Sequence, residues 1–128
     1  VLGIEGDESL VTRARHNAEI NQLSQIEFRT VDLFKLDNPA HKLQDWLQQH
    51  WDAVVIDPPR AGAHEVIEKL REVEPAKILY VSCHPATLAR DADILVNQLG
   101  YQCARLGVMD MFPQTGHVET MALFTRSA

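Results

Sequence analysis

Residues 79–91 read LYVSCHPATLARD, and the pattern of the sequence changes abruptly inside this stretch. An apolar run of β-favouring residues ends at Ser82, and helix-like spacing begins at Pro85, a residue favoured in the first turn of a helix. The stretch therefore predicts a buried strand that passes through a short turn into a helix. Cys83 lies in that turn, at the carboxyl end of the strand and ahead of the helix N-terminus.

The same alternation of strand and helix extends along the rest of the chain. Apolar runs predict strands at residues 1–5, 26–31, 53–56 and 77–83. Amphipathic spacing predicts helices at residues 8–22, 42–50 and 63–72, and a further helix that starts at Pro85 and is closed by Gly100. Two β-rich runs, residues 101–109 and 117–125, predict a terminal antiparallel pair. Strands that alternate with helices indicate an α/β fold with a mainly parallel sheet.

Helical spacing also predicts which side chains face the core. The first helix presents Leu10, Val11, Ala14 and Ala18, and the second presents Leu43, Trp46 and Leu47. The later helices present Ile67, Leu70, Leu88, Ala92, Leu95, Val96 and Leu99.

Composition restricts the class of protein. A chain of 128 residues is one domain's worth, and no apolar run approaches the ~20 residues that span a bilayer. A formal net charge of −6 argues against a broad electrostatic surface for nucleic acid on this chain. Two cysteines form no disulfide framework, which favours a reducing, cytoplasmic setting. Because the chain opens on Val1 directly within a strand, we expect it to be a fragment.

Polar residues follow the predicted strands where each one ends. In parallel sheets the ligand lies at the carboxyl ends of the strands, and Glu5, Asp32, Asp57 and Cys83 all fall there. An acid such as Glu5 can accept hydrogen bonds from the ribose hydroxyls of a nucleoside cofactor. Asp32 carries no stronger signal by itself, and acids are also common wherever strands stop.

Asp57 belongs to a more specific motif, DPPR at residues 57–60. Two successive prolines force a rigid, extended turn without free N–H groups. Such a turn can hold a flat group and the reacting end of a cofactor, or it can simply stiffen a surface loop. Arg60 is either a phosphate or carboxylate contact or a solvated charge.

Cys83 carries most of the chemical interest. A thiol ahead of a helix N-terminus is favoured as the nucleophilic thiolate, although a free cysteine can also be a small buried hydrophobe. Cys103, inside a predicted strand, is interpreted as structural. No metal site is predicted, because Cys83 and His84 are adjacent and no second pair of ligands follows. Glu119 is a candidate general base or an ordinary exposed acid, and His117 has the same ambiguity.

Three ordered motifs, DPPRAGA at 57–63, YVSCHPATLARD at 80–91 and DMFPQTGHVE at 110–119, resemble those of the RNA uracil-5-methyltransferases. The similarity is strongest to the bacterial branch that modifies 23S ribosomal RNA. It implies a Rossmann-like class I methyltransferase fold, S-adenosyl-L-methionine as cofactor and an RNA substrate.

Site residues follow from the same resemblance, position by position. Cys83 matches the nucleophile that adds to uracil C6, and Glu119 matches the base that removes the C5 proton. Asp57 matches a residue beside the methionine end of the cofactor, Glu5 the acid that binds the ribose, and Asp32 a contact near the adenine.

The sequence departs from the family pattern in two ways. His84 stands where the family usually has asparagine. The family's first strand and glycine-rich loop, and the iron–sulfur cysteines of the rRNA branch, precede the point at which this sequence begins. We therefore expect residues 1–128 to form a partial catalytic domain that is inactive alone and that self-associates through its incomplete sheet or is marginally stable.

Three other interpretations remain open on the residues alone. A methyltransferase that acts on amino groups is suggested by the DPP motif, although Arg60 and the thiol at the next strand end argue against it. A non-catalytic α/β assembly module would leave Cys83 buried and inert. A dinucleotide-binding oxidoreductase has the weakest support, because no G-x-G-x-x-G motif is present.

Overall fold

A computed structural model of the chain describes residues 1–36 and 44–126. Strands and helices alternate along these residues, as the sequence predicts. In chain order they are β1 (Leu2–Glu5), α1 (Glu8–Ile20), β2 (Glu27–Thr30), a 3₁₀ helix (Gln44–Gln48), β3 (Ala53–Ile56), α2 (His64–Val73), β4 (Lys77–Ser82), α3 (Pro85–Asp93), a π-helical segment (Ile94–Gln98), β5 (Gln102–Met109) and β6 (Glu119–Thr125).

The chain divides into two compact units, Val1–Gln44 and Asp45–Ala128. In the first unit β1 and β2 pair in parallel, with Leu2 opposite Glu27 and Glu5 opposite Thr30. Helix α1 connects them, and its N-terminus is capped by Asp7, whose Oδ1 accepts hydrogen bonds from the backbone N–H of Ser9 at 2.7 Å and of Leu10 at 3.4 Å. The Ser9 hydroxyl also donates to this oxygen, and together these bonds lower the pKa of the Asp7 carboxyl.

The second unit contains a four-stranded sheet in the order β3-β4-β6-β5. Strands β3 and β4 are parallel, whereas β6 runs antiparallel to both β4 and β5, so the predicted terminal antiparallel pair is confirmed. One face of this sheet is buried and consists of Ile78, Tyr80, Ala122 and Phe124. Among the described strands, β1 pairs with β2 alone and β3 with β4 alone.

Most of the predicted core positions are buried, but Ala14 and Ala92 are half-buried and two others are exposed. Leu10 is 47% exposed, because it lies in the first turn of α1. Val96 is 38% exposed, because the helix that starts at Pro85 widens into a π turn at Ile94–Gln98, closed by the bond from Leu99 N–H to the Ile94 carbonyl at 3.0 Å. The extra residue in this turn rotates Val96 away from the face on which Leu95 and Leu99 stay buried.

The helix predicted at residues 42–50 is a short 3₁₀ helix instead. Trp46 and Leu47 are buried as predicted, and the indole N–H of Trp51 donates to the Trp46 carbonyl at 2.8 Å. Residues 42 and 43, including the predicted core residue Leu43, lie outside the described residues. Gly100 ends the π-helical segment with φ +76°, as predicted. No helix in residues 1–36 or 44–126 has the length and apolar character needed to cross a membrane.

Candidate active site

The junction between β4 and α3 is held by a compact set of hydrogen bonds around Ser82 and His84. The backbone N–H of His84 donates to Ser82 Oγ at 3.0 Å, and the Ser82 hydroxyl donates to the His84 carbonyl at 3.1 Å. These reciprocal bonds turn the chain from strand to helix within two residues. Cys83, half-buried, lies at the apex of the turn.

His84 is the N-cap of α3. Its Nδ1 accepts a hydrogen bond from the backbone N–H of Thr87 at 3.4 Å, and the Thr87 hydroxyl donates to the His84 carbonyl at 3.0 Å. Pro85 occupies the first helical position, where its missing N–H costs nothing. The imidazole thus caps the helix in the position where an asparagine amide is the commoner choice. The cap uses the neutral ring, because a protonated Nδ1 has no lone pair to accept the bond.

The register of β4 and β6 aligns Cys83 with Glu119. Ser82 pairs with Thr120 at the end of the antiparallel ladder, so Cys83 comes one residue after the last pair and Glu119 one residue before it. Both side chains are partly exposed. A thiol and a carboxylate therefore occupy facing positions of the register, immediately beyond the last paired residues of β4 and β6. His117 is exposed, and its backbone N–H donates to the Thr115 hydroxyl at 3.2 Å.

Asp57 follows the end of the neighbouring strand. Ile56, the last residue of β3, pairs with Tyr80 in the parallel ladder, so Asp57 leaves the sheet at the same edge as Cys83. Its carboxylate is exposed and has no hydrogen-bond or ion-pair partner within the described ranges. The turn after it is closed by the bond from Gly62 N–H to the Pro59 carbonyl at 2.9 Å. Arg60 is exposed at this turn.

In the first unit, Glu5 and Asp32 follow paired strands. The backbone N–H of Val31 donates to the Glu5 carbonyl at 2.9 Å, so both acids lie at the carboxyl end of this sheet. Glu5 Oε1 accepts from Asp7 N–H at 3.0 Å. Asp32 is more occupied: Oδ1 accepts from Phe34 N–H at 3.1 Å, and Oδ2 lies 2.9 Å from Lys35 Nζ.

The structural role predicted for Cys103 as a buried filler is wrong, because the side chain is exposed. A shift of register between Cys103 and Arg105 interrupts the β5–β6 ladder, and the Cys103 thiol contacts the Arg105 carbonyl at 3.7 Å. The exposure is shared by residues 102–108, which are exposed on both faces of β5. Across the described residues, His, Cys, Asp and Glu form no group of three or more suited to a metal ion.

Sequence reasoning missed Asp91, which is 0% exposed and bonded to Tyr80 and to the backbone of Ala63. The signal was present in the helical spacing. Asp91 is three residues after Leu88 and four before Leu95, and both leucines are buried. A charged residue on the apolar side of an amphipathic helix requires a buried partner.

Comparison with known proteins identifies the family of the chain. The family model described as tRNA (uracil-5-)-methyltransferase matches residues 1–127. The chain belongs to this family. It consists of RNA uracil-5-methyltransferases, a class of enzymes that use S-adenosylmethionine, so the resemblance in the three motifs is confirmed.

Two curated relatives and two solved structures illustrate the match. The chain is 47% identical over 127 residues to the 23S rRNA (uracil(1939)-C(5))-methyltransferase RlmD of Hahella chejuensis, covering 99% of this chain and 28% of that protein. It is 50% identical to RlmD of Acinetobacter baylyi, covering 98% of this chain and 26% of that protein. The chain thus spans little more than a quarter of the relatives' length.

The structure of the Pyrococcus abyssi tRNA (uracil-54, C5)-methyltransferase in complex with S-adenosyl-L-homocysteine superposes with a TM-score of 0.77 at 35% identity, over 98% of this chain and 28% of that one. The M. jannaschii TYW2 structure in complex with AdoMet superposes with a TM-score of 0.64 over 99% of this chain and 58% of that one. At 14% identity this second likeness shows the fold alone. The predicted Rossmann-like methyltransferase fold is confirmed.

Proposed function

We propose that the protein carrying this chain transfers a methyl group from S-adenosyl-L-methionine to C5 of a uridine in 23S ribosomal RNA, through a covalent bond between Cys83 and uracil C6. One observation carries the proposal: the pairing of Ser82 with Thr120 aligns a half-buried thiol with a half-buried carboxylate at the end of β4. The names of the RlmD relatives support the choice of 23S rRNA as substrate.

The chemistry requires both groups. Uracil C5 is a weak nucleophile, and addition of the Cys83 thiolate to C6 forms an S–C6 bond while the ring electrons move to C5 as an enolate. The C5 carbon then takes the methyl group, the bond between that methyl group and the sulfonium sulfur breaks, and S-adenosyl-L-homocysteine is left. Glu119 removes the remaining C5 proton, the C5–C6 double bond re-forms, and the S–C6 bond breaks to release the Cys83 thiolate. A base inside folded RNA must leave its stack to reach Cys83.

The acids at the strand ends differ in how many of their carboxylate oxygens remain available to hydrogen-bond the cofactor. S-adenosylmethionine, when bound, supplies the methyl group as an electrophilic sulfonium. Glu5 fits the ribose, because only one of its carboxylate oxygens is used locally and the other can accept from a hydroxyl. The unpartnered carboxylate of Asp57 fits the ammonium of the methionine end. Asp32 is the proposed contact near the adenine, although both of its carboxylate oxygens already bond to Phe34 and Lys35.

A trapping experiment tests the nucleophile and the reaction class together. The complete polypeptide that carries this chain is incubated with S-adenosylmethionine and 23S rRNA fragments containing 5-fluorouridine. Fluorine at C5 cannot be removed as a proton, so the S–C6 bond persists and mass spectrometry maps the adduct. We expect the adduct on Cys83 and its loss in Cys83→Ala. Cys103→Ala is the matched control, because that exposed thiol lies outside the proposed site and its removal leaves the adduct intact.

Glu119→Gln separates the two steps. This variant retains the nucleophile but lacks the base, so it should accumulate the adduct on ordinary uridine RNA without releasing 5-methyluridine. Absence of any adduct from an enzyme that binds the cofactor would overturn the covalent mechanism. Methylation of an exocyclic amino group would then favour the amino-group alternative, and no methylation of RNA at all would favour the assembly module.

We propose that the protein is cytoplasmic, because a reducing environment suits its two free thiols. We also propose that the isolated 128-residue chain is inactive and that it self-associates. Within the described residues β3 pairs on one side only, and Val55 on this strand is 68% exposed. An unpaired apolar strand edge is a template for pairing with another chain. Sedimentation velocity at increasing concentration should reveal a dimer, and Val55→Lys should weaken it. A monomer at every concentration would contradict the proposed association.

A further inference from the structure

Asp91 has an unusual place among the charged residues of this chain. It lies on α3, is fully buried, and both of its carboxylate oxygens are engaged. Oδ2 accepts hydrogen bonds from the Tyr80 hydroxyl at 2.6 Å and from the backbone N–H of Ala63 at 2.8 Å. Oδ1 accepts from Arg90 Nε at 2.8 Å and from Arg90 Nη2 at 2.6 Å. Asp91 therefore joins α3, β4 and the segment that precedes α2.

The neighbouring Arg90 strengthens the same connection. Its Nη2 also donates to the Ala61 carbonyl at 3.0 Å, so the guanidinium bonds to the carboxylate and to the backbone together. Gly62 lies between the two tied residues with φ +87°. A Cβ at Gly62 would lie 2.5 Å from Arg90 Nη2 and 2.6 Å from Asp91 Oδ2. The backbone at Gly62 thus lies so close to Arg90 and Asp91 that no side chain fits between them.

The two segments joined in this way each carry a residue of the proposed site. The segment 57–63 begins with Asp57, and α3 begins immediately after Cys83 and His84. Replacing a buried carboxylate and its partners by apolar packing often costs no stability, whereas charge-assisted hydrogen bonds from four donors hold the Asp91 carboxylate in one geometry. The expected role of the pair is therefore to fix the arrangement of these segments rather than to strengthen the core.

We infer that Asp91 is a positioning residue: with Arg90 it locks the 57–63 segment against α3 and so sets Asp57 relative to Cys83. This inference rests on the proposed function. Asp91 itself touches neither the uracil nor the cofactor, because its oxygens are buried and occupied. It acts through the two segments, and its loss should slow the reaction more than it weakens binding.

The test compares Asp91→Asn with Asp93→Asn in the complete polypeptide. The first change keeps the size of the side chain but removes the charge that pairs with Arg90. The second makes the same change two residues further along, at an exposed carboxylate that accepts only from Asn97 Nδ2 at 2.6 Å. Arg90→Lys is a milder third variant, because it keeps a positive charge but loses the two guanidinium bonds to Asp91 Oδ1, so a result is obtained even where Asp91→Asn folds poorly.

Two measurements separate positioning from general destabilisation. Trypsin cleavage after the exposed Arg60 reports release of residues 61–63, and we expect it to become roughly tenfold faster in Asp91→Asn and unchanged in Asp93→Asn. For methylation of 23S rRNA we expect kcat to fall by roughly tenfold to a hundredfold in Asp91→Asn, with KM for S-adenosylmethionine within about twofold of wild type. Arg90→Lys should fall between wild type and Asp91→Asn in both measurements.

The outcomes distinguish this inference from the proposed function. Faster cleavage after Arg60 with an unchanged kcat would overturn the positioning role and leave the proposed function standing. An equal loss of kcat in Asp93→Asn would also overturn the positioning role, because the effect would then not depend on the hydrogen bonds of the buried Asp91 carboxylate. A wild-type protein that methylates no uridine would overturn the proposed function and this role with it.

Discussion

Substitution of Gly62 by alanine should destabilise the chain far more than the same change at Gly100. Both glycines have positive φ, +87° and +76°, a conformation that a residue with a Cβ adopts at a cost of about 1–2 kcal/mol. They differ in their surroundings. A Cβ at Gly100 meets no atom within 4 Å, whereas a Cβ at Gly62 would lie 2.5 Å from Arg90 Nη2 and 2.6 Å from Asp91 Oδ2.

The additional cost at Gly62 follows from what can move. The half-exposed Arg90 can swing away, but it then gives up its bonds to Asp91, which is fully buried and held by Tyr80 and Ala63. Loss of one hydrogen bond to a charged group costs about 1.5–3 kcal/mol. The total for Gly62→Ala is therefore about 2.5–5 kcal/mol, against about 1–2 kcal/mol for Gly100→Ala.

Urea unfolding followed by circular dichroism measures both variants against the wild-type chain. With a typical slope for a small protein, the midpoint of Gly62→Ala should lie about 1 M urea or more below that of Gly100→Ala. Equal midpoints for the two variants would refute the reasoning, because the Arg90–Asp91 pair would then yield without loss. A reduced slope in Gly62→Ala alone would point to a loosened native state rather than to a lost hydrogen bond.

Three further predictions concern single side chains. Burial, and then the bond to Asp91, raise the pKa of Tyr80 above its ordinary value of about 10. The protonated hydroxyl therefore stabilises the folded state fully below pH ~10, and this stabilisation is lost as the pH rises toward the pKa in the folded state. The urea midpoint should therefore decrease less steeply in Tyr80→Phe than in wild type between about pH 9 and 11. His84→Ala should cost about 1 kcal/mol in urea unfolding through loss of the α3 cap, whereas His84→Asn should match the wild type; no loss in His84→Ala would show that the imidazole does not cap. Iodoacetamide should alkylate Cys103 in the folded chain nearly as fast as in the urea-unfolded chain, as mass spectrometry of the peptide that contains Cys103 would show, and slow labelling of that peptide would contradict the exposure of this thiol.

The sequence predicted the order of strands and helices because short apolar runs and amphipathic spacing carry that information directly. Every predicted strand is present, and Gly100 ends its helix as expected. The errors arise where backbone geometry departs from the regular period. The π turn changes the direction in which Val96 points, so regular helical spacing predicts its burial wrongly. Gln44–Gln48 has only five residues, and spacing over so short a stretch does not distinguish a 3₁₀ helix from an α-helix.

The candidate site was predicted in part, for a similar reason. Strand ends can be located from the sequence, and with them Asp57 and Cys83 at one edge of the sheet. The alignment of Cys83 with Glu119 could not be predicted, because it depends on the register of strands that are separated by a helix and a further strand. Burial of Asp91 likewise depends on partners distant in sequence.

The pairing of Ser82 with Thr120 has a consequence for how members of this family can diverge. Residues 110–118, between β5 and β6, lie outside the ladder that joins β4 to β6. Insertions or deletions there lengthen or shorten a surface loop at a small entropic cost. They do not change the register that places Cys83 opposite Glu119. A shift of one residue within β6 would instead turn its buried side chains to the opposite face. The length of this hairpin loop can therefore change while the register of Cys83 and Glu119, the proposed nucleophile and base, stays the same.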